Sequence, residues 1–275
     1  MTRTAAVLFL LFTPLSGFTA DEPLLSEAEA AFAHGVELRS DAVEAQPWFV
    51  RAAGHYDELW RRGHRTPELA MNRANAHRLA GDLPASIAAF HEGLAVARFH
   101  YPLQAGLEDA RAAVAFPHDG ELANECRPRT RLTVASRMSP LEAYWVTGSF
   151  WLAACGLFAW WRVSRNHGIL PAVGIALAVL AAIGVMWWQD AKYREREDCR
   201  PLAIVREDAG LHKGNGDGFP KRFDHKLPRG VETRELSRRG GWVQVELAGG
   251  AVGWLPENAV LIPEAWRSSD GYGDR

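Results

Sequence analysis

Two apolar runs, Ala143 to Trp161 and Ile169 to Trp188, stand out from a chain of otherwise mixed hydrophobic and polar positions, and neither holds a charged residue. At a rise of about 1.5 Å per residue each predicts a helix of about 28 to 30 Å, the thickness of a bilayer's hydrocarbon layer. Arg162 to Gly168 makes a polar turn between them, and Pro171 falls in the first turn of the second helix. The pair reads as a transmembrane hairpin over 143–161 and 169–188. Its rival, a buried core hairpin, fits the length and the lack of charge less well. Trp145, Trp160, Trp161, Trp187 and Trp188 lie near the predicted ends, where indoles favour the headgroup region. Gly174, Ala178 and Ala182 recur every fourth residue and would let the second helix approach a neighbour closely, although composition alone often produces such stripes.

Before the hairpin, residues 26–116 carry helical spacing broken by short polar turns. The stretch Ala74 to Leu83 followed by Ser86 to Leu94 resembles a tetratricopeptide repeat. Ala74, Ser86 and Gly93 are small where paired helices approach, Gly81 and Asp82 form the turn, and Phe90 fills the gap between helices. His77 departs from the aromatic usual at its position, and the closing proline comes late, at Pro102. A weaker copy places Phe32 and Gly35 on one helix and Ala52, Tyr56, Leu59 and Trp60 on the next, with a longer connection around Pro47; Pro102 to Ala115 reads as a closing helix. Asn72 and Asn75, one turn apart, with Arg78 following, would face the concave groove that such repeats use for peptides. Solvated surface is their plainer role. Residues 117–142 read as a linker rich in Arg and Pro.

After the hairpin, 189–200 is a charged linker and 201–263 changes to short strands punctuated by Gly and Pro. Trp242 to Leu247 alternates, Gly249-Gly250 turns, and Ala251 to Leu255 returns before Pro256 and a last strand near Val260. This order resembles a bacterial SH3-type small barrel. Trp242 and Trp254 then serve either as barrel core or rim, or as a partner-binding platform. Residues 264–275 read as a disordered tail. The expected architecture is multi-domain, with all-α repeats, a two-helix transmembrane hairpin and an all-β barrel.

The 275-residue chain has a net charge of -2, with both signs interspersed, so no nucleic-acid partner is expected. Residues 1–20, with Arg3 before an apolar segment and then Pro14, resemble a secretory signal peptide; an uncleaved start is the alternative. A hairpin returns the chain to the side it left, and a leader makes that side the periplasm. Basic residues flanking the hairpin argue for the opposite orientation, but long translocated domains largely escape that rule. No metal-binding His-Glu-x-x-His, phosphate-cradling Gly loop or Gly-x-Ser-x-Gly elbow is present, so neither catalysis, a cofactor nor a metal is expected. Cys126 and Cys199 fall on one side of the hairpin within reach of each other. They form either a disulfide fastening the repeats to the barrel or two free thiols.

The whole order resembles the BatE family of the bacterial aerotolerance operon, most tellingly in Asn72 to Ala76 with Gly81 to Leu83, Leu103 to Pro117, and Met138-Ser139-Pro140 entering the first membrane helix. The resemblance implies an inner-membrane protein without established catalysis, working beside membrane-bound von Willebrand factor A-type proteins. Two functions follow as expectations. One is a scaffold recruiting partners through repeats and barrel; the other is a barrel that binds cell-wall peptide or glycan.

Overall fold

The computed structural model describes residues 21–128, 140–164, 170–198 and 200–267. The leader expected over 1–20, residues 129–139 of the expected linker, residues 165–168 of the expected turn, Ile169, Cys199 and residues 268–275 of the expected tail lie outside the described residues.

Six helices precede the apolar pair: α1 (Glu22–Glu37), α2 (Ala42–Arg61), α3 (Pro67–Leu79), α4 (Leu83–Val96), α5 (Tyr101–Ala112) and α6 (Glu121–Cys126). Each of the first four packs on the next, giving a stack of helix pairs. Short polar side chains start three of them, α2, α3 and α4. Asp41 accepts the Val43 and Glu44 N–H groups ahead of α2, Thr66 accepts that of Leu69, and Asp82 that of Ala85. Gly81, at φ 84°, supplies the left-handed turn that ends α3. Asp82→Ala should cost about 1 kcal/mol, read as a lower denaturation midpoint at unchanged slope; an unmoved midpoint would mean the cap contributes nothing.

Two expectations for this part need correction. Pro47 lies inside α2 rather than in a connection, because Asp41 has already initiated the helix; the proline forfeits one backbone bond. Part of the expected linker is α6, whose Leu122, Ala123 and Cys126 are buried.

Five strands follow the apolar helices: β1 (Leu202–Val205), β2 (Glu232–Arg239), β3 (Trp242–Leu247), β4 (Val252–Pro256) and β5 (Val260–Leu261). They form an antiparallel sheet in the order β4-β3-β2-β1-β5. A bulge at Leu236 shifts the β2–β3 register. Alternation sends Val243, Val245, Leu247 and Leu255 inward. All four residues of β1 are buried, as befits a strand covered on both faces: α4 packs against it.

That contact makes one core of what the sequence divides into two modules. A single cluster of buried side chains runs from Ala28 through Ile87 and Phe90 to Leu202, Val243 and Ile262. Gly230, at φ 87°, fits beneath Val114 and Ile87, where a Cβ would lie 3.0 and 3.3 Å from their methyl groups. The tail expected to be disordered from residue 264 begins instead as a four-residue helix, α9 (Glu264–Arg267), because it packs against α4.

The apolar helices, α7 (Pro140–Ser164) and α8 (Leu170–Asp198), touch each other, with Ala154 and Val173 buried. Much of their apolar surface is exposed, including Trp145, Phe150, Trp151, Leu152, Ile175 and Val185. Among the described helices, Pro171–Gln189 alone is long and apolar enough to cross a membrane. Thr147, Gly148, Ser149, Tyr144 and four Trp residues make α7 less apolar. The small stripe Gly174, Ala178 and Ala182 is exposed and lies off the α7–α8 seam.

Candidate functional site

Asn72, Asn75 and Arg78 share one surface of α3. Asn72 and Arg78 are exposed, and half-buried Asn75 accepts a bond from Arg78 Nη2 at 3.4 Å. Trp242 and Trp254 are absent from the core. Both project half-exposed from the outer face of the β3–β4 ladder, opposite Val243 and Leu255. Pairing sets Trp242 across from Pro256 and Trp254 across from Gln244. His212 joins them: it exchanges both backbone hydrogen bonds with Trp254, and its ring meets that of Trp242 edge-on at 5.2 Å. Exposed Phe219 accepts a bond from His212 Nδ1 through its carbonyl if that nitrogen carries the proton. Cys126 is a free, buried thiol whose pKa burial raises, so it is a poor nucleophile. Cys199, its expected partner, lies outside the described residues.

The charged side chains that organise the molecule lie elsewhere, at the junction of helices and sheet. Glu232 of β2 accepts a two-pronged bond from Arg111 of α5, at 2.6 Å from Nε and 2.7 Å from Nη2, and His91 Nε2 of α4 stands 3.2 Å away. Beside them Glu92, only 2 % exposed, accepts a bond from Arg73 of α3 on one oxygen and the Glu264 N–H on the other, at 2.5 Å. Arg73 also reaches Asp57 of α2 at 2.5 Å and lies over the Trp60 ring. His77 stands 3.2 Å from the same Asp57 oxygen. A third grip is Glu125 of α6. Its carbonyl accepts the Gly249 N–H and its carboxylate the Ala251 N–H, holding the β3–β4 turn where Gly249 leaves no side chain in the way.

These partners set the electrostatics. Burial alone would raise the Glu232 carboxyl pKa; the His91 charge and the Arg111 bonds outweigh it and hold the carboxyl far below the usual range. Asp57 behaves likewise: burial is opposed by His77 and Arg73, with a net lowering. Arg73 is kept charged because Glu92 and Asp57 outweigh the cost of its burial. Every one of these charges is neutralised by a neighbour, which is the chemistry of a clamp. Among the described residues no group of three or more His, Cys, Asp or Glu is arranged to hold a metal. An open groove of about 610 Å³ follows the same junction, with Leu83 and Pro117 on the helical wall and Asp208, Lys226 and Arg229 on the other. No protein family, curated protein or solved structure matches the chain.

Proposed function

We propose that the protein is a membrane-anchored, non-enzymatic adaptor, in which α7 and α8 form a transmembrane hairpin and the tetratricopeptide-like helices and SH3-like sheet stand together on one membrane face. The observation that carries this reading is the shared core. Segments on both sides of α7–α8 interdigitate, with α6 gripping the β3–β4 turn and α4 packed on β1. A single crossing by Pro171–Gln189 would strand these partners on opposite faces of the bilayer. An even number of crossings does not, so less apolar α7 returns with α8. Exposure supports the same reading: α4 is apolar because protein covers it, whereas the apolar run of α8 is uncovered. Trp188, with Lys192 over its ring at 4.3 Å, suits the interface at the end of that run.

The leader-like start puts the body in the bacterial periplasm, and the BatE-like order makes von Willebrand factor A-type membrane proteins its partners. The surfaces offered to them are Asn72, Asn75 and Arg78 on α3, and the outer face of Trp242 and Trp254. The test is protease access in spheroplasts followed by co-purification in mild detergent. Epitopes placed before α1 and after β5 should both be cut from outside, and von Willebrand-type proteins should co-purify. Epitopes of opposite accessibility would end the hairpin reading, and repeated recovery of the protein alone would end the adaptor reading.

The half-exposed indoles favour a second reading, attachment to cell-wall peptide or glycan. Because the sheet shares its core with the helices, this calls for the full chain: sedimentation with wall sacculi should be lost in Trp242→Ala/Trp254→Ala. A full chain that never sediments removes this option.

A further inference from the structure

The face of α4 that bears His91 and Glu92 already holds a short segment of the chain's own, Ile262 to Arg267, in which Ile262 and Pro263 lead into the helical turn α9. Ile262 and Pro263 are buried, and the Glu264 N–H meets Glu92. The backbone then turns, Trp266 N–H to Pro263 O at 3.1 Å, and lays the half-buried indole edge-on to His91, with ring centroids 6.2 Å apart. The recognition is that of a peptide in a site: an apolar anchor, a main-chain N–H on a buried acceptor, and an aromatic anchor.

Glu92 is the telling group. A carboxylate sealed from water needs donors on both oxygens. Arg73 serves one, and the other is left for whatever lies across α4. The segment that serves it comes after β5, whose pairing with β1 ends at Leu261, so it can leave without unpairing the sheet.

We propose that α4, with Arg73 behind it and Glu232 beside it, is a peptide-accepting site, and that Ile262 to Arg267 is an internal occupant. A partner displaces it with a segment of like chemistry, an aliphatic residue and proline leading into a helical turn that presents a free backbone N–H and a large aromatic ring. This acceptor is separate from the Asn72, Asn75 and Arg78 surface. The inference rests on the adaptor reading, and because its test is direct peptide exchange on the purified protein, either can fail without the other.

The probe is a fluorescein-labelled peptide with the sequence of Val260 to Arg267, added to the full chain in detergent micelles. Wild type binds it weakly because the site is occupied; Trp266→Ala frees the site and binds it about tenfold more tightly or better. Equal affinity, or no binding by either protein, overturns the proposal. A second measurement uses wild type alone and covers the case in which Trp266→Ala misfolds. A large excess of unlabelled peptide should speed tryptic cleavage after Arg267, and the same peptide with Ala in place of its Trp should not. An unchanged rate, or equal acceleration by both peptides, overturns it.

Discussion

Phe90→Ala is expected to cost the folded body about 3 to 5 kcal/mol. Phe90 is fully buried in α4, and its ring lies over Gly106 of α5, where a Cβ would collide with it. Truncation therefore leaves a void facing a position with no side chain to fill it. The damage should not stop at the helices. Ile87, one turn earlier on α4, lies beneath Gly230, and α4 packs against β1. Hydrogen exchange read by mass spectrometry on the full chain in micelles should show β1 and β3 losing protection together with α3 and α4. A sheet that keeps wild-type protection while the helices open would mean two independent modules and would withdraw the shared-core argument for an even number of membrane crossings.

Local signals were legible in the chain. The Gly81-Asp82 turn, the small residues Ala74, Ser86 and Gly93, and the alternation from Trp242 to Leu247 each depend on neighbours a few residues apart, and each is where helix pairs or strands form. The outward aim of Trp242 was also available: strict alternation puts it on the face opposite Val243 and Val245. The junction was not legible, because Arg111 and Glu232 are 121 residues apart and Glu92 meets a backbone group 172 residues away. On a sequence such charges read as solvated surface. One hint existed in α4, Leu83 to Val96, whose apolar residues surround the helix instead of forming a stripe. A helix apolar all round must be covered on every side, and a glutamate within it must have a partner. The same principle separates α4 from α8, since only the former finds its cover within the protein.

Glu232→Gln should destabilise the body by about 2 to 3 kcal/mol near neutral pH, toward the lower end for a broken buried ion pair, because Arg111 keeps 31 % of its side chain exposed and recovers some hydration. The amide keeps the shape but loses the charge that satisfies Arg111 and faces His91. The pH dependence isolates that charge. The folded-state pKa of Glu232 lies below the unfolded value of about 4.3. Its contribution is therefore complete above that value and is lost as pH falls through the folded one. Wild type should lose stability progressively below about pH 4.3, and the gap to Glu232→Gln should narrow over the same range. Asp57, lowered in the same direction, is present in both proteins, so its loss cancels in the comparison. Denaturant midpoints for the two proteins from about pH 7 down to about pH 3 make the measurement. A gap of constant size across that range would assign the defect to packing and remove the ion pair from the account of how helices and sheet are held together.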